Sequence, residues 1–165
     1  MSNRPTRIET LLTVASVIAE RSTCNRLHVG AVVAREGRIL TTGYNGPPSG
    51  IDHCQHEEFE LQCNLAVHAE MNAIAFAARY GMATQGAELF VTHAPCHNCA
   101  KLIINAGIIR VYYTNEYRLT HGVDLLEDAN VETYCAPNSD GTTDPAAGAQ
   151  CGLFPLPDGY RGSRL

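Results

Sequence analysis

The segment AELFVTHAPCHNCAKLIINAGIIRVYYT, residues 87–114, decides the fold of this chain. It begins and ends with short runs rich in β-branched and aromatic residues, which predict strands. Between them, Pro95 stands just ahead of a stretch with helical character, residues 96–106, and Gly107 stands just after it, an asymmetry typical of helix ends. Two strands joined through a helix predict a sheet that carries the helix on one face.

Predicted helices and strands alternate through most of the chain. Apolar side chains recur with a period near 3.6 in the helical segments, and shorter apolar runs bounded by turn residues predict strands. The predicted helices cover residues 8–21, 67–80, 96–106 and 122–129, and the predicted strands cover residues 29–35, 38–44, 87–92, 108–114 and 131–134. The order α-β-β-α-β-α-β-α-β indicates an α/β protein with a central sheet and helices packed on its faces.

The composition indicates one globular domain that binds neither a membrane nor a nucleic-acid polymer. The chain has 165 residues, a formal net charge of −5 and a pI of about 5.7, whereas proteins that grip nucleic acids are usually basic. No apolar run approaches the roughly 18 residues that cross a bilayer, and no signal peptide precedes the first helix, so we expect a cytoplasmic location. Seven cysteines without an export signal favour metal ligation over a disulfide framework.

Two short motifs supply ligands for a zinc ion. HAE at residues 68–70 and PCHNC at residues 95–99 match the pattern H-x-E…P-C-x-x-C of zinc-dependent nucleobase deaminases. The predicted ligands are His68, Cys96 and Cys99. A zinc ion with three protein ligands keeps its fourth position for a water, whose pKa it lowers from about 16 toward about 7. Glu70, which need not be a ligand, would carry protons from that water to the base and then to the leaving ammonia.

Both motifs fall at the predicted start of a helix, and this shared placement favours a catalytic metal site. Cys96 and Cys99 are three residues apart and so lie on one face of their helix, and the partial positive charge of a helix N-terminus favours thiolates. A packed core histidine beside a redox-active or structural C-x-x-C pair is the alternative. We also expect His93, Ala94 and Pro95 to contact a substrate, with a nearby backbone carbonyl orienting the leaving amine.

Beyond these motifs the chain resembles the deoxycytidylate (dCMP) deaminases of bacterial and phage type, within the zinc-dependent cytidine/deoxycytidylate deaminase superfamily. The resemblance runs from about residue 12 to residue 134 and includes both metal motifs. The other matching segments are ERSTC at residues 20–24, VGAV at 29–32, GYNG at 43–46, GAELFVTH at 86–93 and EYR at 116–118. The resemblance implies a catalytic domain over residues 1–134 with a three-layer α-β-α fold of the cytidine-deaminase type, whose central mixed sheet has about five strands flanked by helices.

The resemblance further implies hydrolysis of dCMP to dUMP and ammonia, which feeds thymidylate synthesis, by a homohexamer that dCTP activates and dTTP inhibits. A phage-encoded protein of this kind would act in the host cytoplasm. Asn45 would bond the sugar hydroxyl, and Tyr117 would line the nucleotide pocket. The residues implied near the 5′-phosphate are Arg21, Ser22 and Arg26, and those implied near the effector are Gly43, Tyr44 and Gly46. An Asn-Gly turn and a solvated helix end are the alternatives for Asn45 and for the two arginines.

A second, structural zinc is also implied by the resemblance. Its ligands would be Cys24, Cys54, Cys63 and, as our choice for the fourth, His56, with His53 and nearby glutamates as rivals. The polar loop at residues 51–66 has too few apolar residues to pack itself, so closure on a metal makes physical sense. Three buried or free thiols are the alternative. Residues 135–165 lack periodicity and predict an irregular tail, in which we expect Cys135 and Cys151 to be packed or free.

Other functions compete with dCMP deamination. A tRNA adenosine deaminase should be basic for its partner, and this chain is acidic. A deaminase of free cytidine needs no phosphate contact, so Arg21 and Arg26 would be idle. The sequence leaves open 5-substituted dCMP and dCTP as substrates. A zinc-stabilised nucleotide-binding regulator without catalysis is a further alternative, against which Glu70 argues because binding alone needs no proton carrier.

Overall fold

The computed structural model describes residues 4–53, 63, 65–116 and 121–136. Within them the chain forms helices and strands in the predicted order. The helices are α1 (Arg7–Ala19), α2 (Ala69–Arg79), α3 (His97–Asn105) and α4 (His121–Asp128), and the strands are β1 (Gly30–Arg35), β2 (Arg38–Tyr44), β3 (Glu88–His93), β4 (Arg110–Asn115) and β5 (Glu132–Cys135). No helix among these residues is long and apolar enough to span a membrane.

The five strands form one mixed sheet in the order β2-β1-β3-β4-β5. Strand β1 is antiparallel to both β2 and β3, whereas β3, β4 and β5 run parallel to one another. Parallel neighbours need a crossover connection, and α3 and α4 lie in these connections. The prediction of a central mixed sheet of about five strands is therefore confirmed.

Helices cover both faces of the sheet and produce three layers. On one face, α1 packs against a cluster that includes Val32 and Phe90. On the other face, α2, α3 and α4 pack against a cluster that includes Val33 and Leu89. Neighbouring residues of one strand enter different clusters because successive side chains point to opposite faces. The three-layer prediction is confirmed, and both metal motifs lie in the layer that holds α2 and α3.

Two glycines let helices lie directly against strands. A β carbon at Gly30 would lie 2.0 Å from the Ala15 carbonyl oxygen, and one at Gly43 would lie 2.3 Å from the Ala69 carbonyl oxygen and 2.5 Å from the Ala73 nitrogen. Only a residue without a side chain tolerates such an approach. Because Gly43 contacts the first turn of α2, it fixes the position of the helix that carries the first metal motif.

A charge network ties α1 to the parallel strands at the start of β3, the end that lies away from the second metal motif. The Glu88 side chain is 7% exposed and pairs with Arg7 and with Arg110, whose Nη1 lies 3.5 Å from Glu88 Oε1. Arg110 also pairs with Glu132 at 3.0 Å. Glu88, Arg110 and Glu132 are register partners across β3, β4 and β5. The network therefore stabilises the first residues of β3, β4 and β5, at the ends of these strands that lie away from the metal motifs.

The structure differs from the predictions at element ends and at Cys135. Helix α1 ends at Ala19 and not at residue 21, so Arg21 lies in the turn that follows it. Cys135 belongs to β5, where it pairs with Tyr113, and it is disulfide-bonded. Cys135 packs against the core, as expected, but it is bonded in a disulfide and is therefore not a free thiol. Cysteine pairing depends on which residues the fold brings together, and sequence alone does not reveal it.

Candidate metal centre

His68 and Cys96 occupy equivalent positions at the starts of two helices. Each is the N-cap residue of its helix and has extended backbone torsions, φ −69° and ψ 155° for His68, and φ −71° and ψ 167° for Cys96. An N-cap side chain usually accepts a hydrogen bond from the first turn, yet neither of these side chains makes such a bond. Both side chains are therefore directed to a different partner.

The three predicted ligands converge on one point. His68 Nδ1 lies 3.5 Å from Cys96 Sγ and 3.4 Å from Cys99 Sγ. A tetrahedral zinc, with Zn–N of about 2.0 Å and Zn–S of about 2.3 Å, separates its nitrogen and sulfur ligands by about 3.5 Å. The donor types and their spacing therefore fit zinc held through Nδ1. Among the residues that the structure describes, no other group of three or more His, Cys, Asp or Glu side chains is close enough to share an ion.

The two thiols of this cluster differ in acidity. A hydrogen bond from the Cys99 thiol, together with contact with His68, lowers the pKa of Cys96 to about 3. Cys99 is the donor of that bond and is fully buried, and both effects raise the pKa of its thiol. A separate hydrogen bond, between His68 and Cys96, raises the pKa of His68. The two thiols therefore differ in acidity, and a metal that bound both would release protons from the site.

Glu70 lies beside the cluster without belonging to it. The residue is 3% exposed, and its carboxylate is not among the grouped ligand atoms. Burial raises the pKa of Glu70 to about 7. Because acid–base catalysis is most effective when the pKa lies near the working pH, this carboxyl is suited to accept and donate protons at neutral pH. The site therefore combines a cluster of three potential metal ligands with a separate buried carboxyl.

Residues 5–115 match the family model described as the cytidine and deoxycytidylate deaminase zinc-binding region. The chain belongs to the cytidine and deoxycytidylate deaminase family. The matched stretch contains both metal motifs and ends with the last residue of β4, so α4 and β5 of this deaminase-family chain lie outside it.

Several relatives extend the likeness over most of the chain. The ComE operon protein 2 of Bacillus subtilis is 46% identical over 120 residues, which span 70% of this chain and 63% of that protein. The deoxycytidylate deaminase of Mycobacterium phage D29 is 38% identical over 129 residues, which span 69% of this chain and 98% of the phage protein. The crystal structure of dCMP deaminase from cyanophage S-TIM5, in complex with dCMP and dUMP, matches with a TM-score of 0.76 at 39% identity and covers 82% of this chain and 100% of the cyanophage chain.

Asn45 lies beside the first metal motif of this deaminase-family chain. Gly46 and Val67 exchange backbone hydrogen bonds of 3.2 and 2.8 Å, and Val67 directly precedes the motif. The Asn45 side chain is buried; its Oδ1 accepts the Val29 N–H at 2.8 Å and its Nδ2 donates to the Leu27 carbonyl at 2.8 Å. Asn45 therefore holds residues 27–29 in place, and its predicted bond to a sugar hydroxyl stays a prediction.

One residue predicted to contact the substrate phosphate, Arg21, lies together with the residues predicted to contact the effector. Arg21 lines an open cavity of about 600 Å³ together with Gly43, Tyr44 and Gly46, and none of the three metal ligands lines this cavity. The Ser22 hydroxyl is buried and donates to the Asn45 carbonyl at 2.9 Å. Arg26 is exposed. The structure thus groups Arg21 with the predicted effector residues.

His93, Ala94 and Pro95 connect β3 to the second metal motif. His93 is 9% exposed, and its Nδ1 lies 3.0 Å from Thr92 Oγ1. Ala94 is buried, and its N–H donates to the Asn115 carbonyl at 2.8 Å. Pro95 is buried too, directly ahead of the N-cap of α3. Their predicted contacts with a substrate are untested, and Tyr117 lies outside the described residues.

The second metal site is described only in part. Cys24 is buried and Cys63 is half-buried, and neither is in a disulfide. Cys63 Sγ accepts the Ala66 N–H at 3.3 Å. Cys54 and His56, the other two predicted ligands, lie outside the described residues. The second zinc therefore stays a prediction.

Two residues that contact the segment around the second metal motif were missed in the sequence. Asn115 bridges the ends of β3 and β4: its Nδ2 donates to the Thr92 carbonyl at 2.8 Å, and its own carbonyl accepts the Ala94 N–H. A polar residue at the end of the strand after the motif was a usable signal for this bridge. Gly122 lies against the backbone of Pro95, and no sequence pattern marks it because the contact depends on how α4 packs.

Proposed function

We propose that this chain catalyses the hydrolytic deamination of dCMP to dUMP and ammonia, with zinc bound by His68, Cys96 and Cys99. The observation that carries the proposal is the three-ligand cluster beside a buried carboxyl that is not a ligand. Such a set leaves one zinc position for a reactant and provides a separate proton carrier. The D29 and cyanophage relatives, both named as deaminases of this nucleotide, support the choice of dCMP.

Zinc held by His68, Cys96 and Cys99 would supply a water nucleophile for this reaction, because the ion lowers the pKa of water. Glu70 accepts a proton from the attacking water and delivers it to the ring nitrogen next to the amine-bearing carbon. It then takes the remaining proton of the hydroxyl added to that carbon and passes it to the amine; the C–N bond breaks, the carbonyl forms and ammonia leaves. One water is consumed, one ammonia is released, and Glu70 returns to its starting protonation state.

We propose that Asn45 bonds the sugar hydroxyl. Its side-chain amide keeps one N–H and one lone pair beyond its two bonds to residues 27–29, and the pairing of Gly46 with Val67 holds it beside the metal motif. For the leaving amine, the carbonyl of Ala94 is the better candidate because the carbonyl of Pro95 lies against Gly122. The remaining proposed contacts are His93 and Tyr117 with the nucleotide, and Arg21, Ser22 and Arg26 with its phosphate.

Activation by dCTP, inhibition by dTTP and assembly as a homohexamer form the regulatory part of the proposal, in a cytoplasmic enzyme that feeds thymidylate synthesis. The cavity lined by Arg21 and Tyr44 supports an effector site, since an arginine suits a phosphate and an aromatic ring suits a base. Gly43 lines the same cavity and contacts Ala69, the residue before Glu70. A ligand in the cavity would therefore act on the helix that carries the proton carrier.

We also propose a structural zinc bound by Cys24, Cys54, Cys63 and His56. Cys24 and Cys63 support this proposal, because neither is in a disulfide and both are thus available in type as zinc ligands. Metal analysis tests it: wild-type protein should hold two zinc ions per chain and Cys54→Ala should hold one. One zinc per chain in both proteins would overturn the second site and leave the first unaffected.

A substrate panel tests the proposed reaction. Zinc-loaded protein would be assayed for ammonia release from dCMP, 5-methyl-dCMP, CMP, dCTP, deoxycytidine and cytidine, each with and without dCTP or dTTP as effector. We expect the highest kcat/KM with dCMP, and Cys99→Ser serves as the control that lacks a metal ligand. Faster turnover of a nucleoside would overturn the phosphate contacts, and no turnover of any substrate would favour a nucleotide-binding regulator.

A further inference from the structure

The segment that carries Cys96 is backed by a helix outside the matched family region. The match ends at residue 115, and the function proposed above uses α4 only for the contact of Gly122 with the Pro95 carbonyl. Gly122, the second residue of α4, is buried. A β carbon on Gly122 would lie 1.9 Å from the Pro95 carbonyl oxygen and 2.7 Å from the Cys96 carbonyl carbon. Helix α4 therefore lies against the metal-binding segment through bare backbone.

Both sides of this contact are held in place by further interactions. Helix α4 is anchored by Leu126, which is fully buried in the same core cluster as Cys99 and whose carbonyl accepts the Val131 N–H at 2.9 Å. On the other side, Pro95 is fully buried, and its ring fixes its φ torsion. The Cys96 carbonyl accepts the Ala100 N–H at 2.9 Å in the first turn of α3. A side chain at position 122 must therefore displace the segment that holds Cys96, or lift the start of α4.

We propose that Gly122 is a positioning residue for the metal ligand Cys96. Its missing side chain lets α4 lie directly behind Pro95 and Cys96, and this contact sets the distance of the Cys96 thiolate from His68 and Cys99. Outer-shell changes at metal sites typically lower metal affinity by about 10- to 100-fold, and we expect a loss of this size for Gly122→Ala. This inference rests on the ligands named in the proposed function.

The experiment compares Gly122→Ala with Gly81→Ala. Gly81 follows the far end of α2 and has φ +70°, and a β carbon at this position would meet no atom within 4 Å. The control therefore adds the same methyl group, and backbone strain with it, without contact with the site. Zinc affinity is measured by competition with a chelator, and the cobalt-substituted proteins are compared by their thiolate-to-cobalt absorption. We expect weaker zinc binding and an altered cobalt spectrum in Gly122→Ala, and zinc affinity within about twofold of wild type in Gly81→Ala.

A second background distinguishes positioning from a general loss of stability. Pro95→Ala frees the torsion that the ring fixes, so the carbonyl at residue 95 can turn away from an added methyl group. Adding Gly122→Ala to Pro95→Ala should therefore lower zinc affinity by a several-fold smaller factor than adding it to wild type. The double variant should also fold, even if Gly122→Ala alone does not. Equal losses in both backgrounds, an unfolded double variant or an unchanged affinity of Gly122→Ala would each overturn the proposal. A wild-type protein that binds no zinc would overturn the ligand assignment itself.

Discussion

Replacing Glu70 with glutamine separates proton transfer from metal binding. The residue is 3% exposed and lies outside the ligand cluster, so Glu70→Gln keeps the size of the side chain and leaves all three ligands in place. A positioned acid–base group contributes roughly 10²- to 10⁴-fold to a rate. We therefore expect kcat with dCMP to fall by this factor, which corresponds to about 3–5 kcal/mol of activation free energy, while the zinc content stays at the wild-type level.

The same substitution changes the stability of the metal-free protein in a pH-dependent way. Burial raises the pKa of Glu70 to about 7 from an ordinary value of 4.5. The folded protein therefore holds the Glu70 proton more tightly than the unfolded chain does. The contribution of this proton to folding stability is complete below pH 4.5 and is lost as the pH rises through 7. The loss amounts to roughly 3 kcal/mol, and glutamine avoids it because it does not ionise. Metal-free Glu70→Gln should therefore be more stable than wild type above pH 7, by an amount that shrinks toward acid pH.

Three measurements check these expectations: zinc content, steady-state kinetics with dCMP, and urea unfolding of the metal-free proteins between pH 5 and pH 8. Glu20→Gln, an exposed substitution beyond the end of α1, is the matched control for loss of a carboxylate. A zinc-loaded Glu70→Gln variant that keeps kcat within about tenfold of wild type would refute the role in proton transfer. A metal-free variant that gains no stability above pH 7 would refute the effect assigned to burial.

Other substitutions test the ligands, the amide bridge and the far end of the sheet. Cys99→Ser removes one of three ligands, so its zinc affinity, measured by chelator competition, should fall by more than the roughly 100-fold that outer-shell changes produce; native affinity would exclude Cys99 as a ligand. Asn45→Ala leaves a backbone carbonyl and a backbone N–H of residues 27–29 without their partner, which should cost about 2–4 kcal/mol in urea unfolding; a loss below about 1 kcal/mol would show that water replaces the amide. Glu88→Gln removes the charge that two partly exposed arginines share and should cost about 1–3 kcal/mol without changing zinc affinity; a weaker metal site in this variant would contradict the separation of the two ends of β3.

The fold was predictable because its signals are local. The apolar run at residues 29–34 predicts a strand, and strand geometry alone then sends Val32 to one core cluster and Val33 to the other. The metal motifs were equally local, since two residue spacings and two helix starts place His68, Cys96 and Cys99 together. These features depend on neighbours along the chain and therefore survive in a single sequence.

The features that were missed depend on contacts between distant segments. Gly43 and Gly122 have no distinguishing pattern, because the need for glycine arises only when a helix approaches their backbone. The place of Arg21 in one cavity with Tyr44 follows from where α1 ends and how β2 packs, and the predicted contact of Arg21 with the substrate phosphate stays a prediction. The disulfide bond of Cys135 likewise depends on spatial proximity, which cysteine counting does not predict.

Zinc-dependent turnover of dCMP is the most direct test of the proposed function. Conversion of dCMP to dUMP and release of ammonia would be followed with zinc-loaded protein, after removal of the metal by a chelator, and after zinc is added back. We predict turnover in the loaded protein, its loss on metal removal and its return with zinc, with no return in Cys99→Ser. Turnover that persists without zinc, or a zinc-loaded protein that leaves dCMP unchanged, would contradict the proposed function.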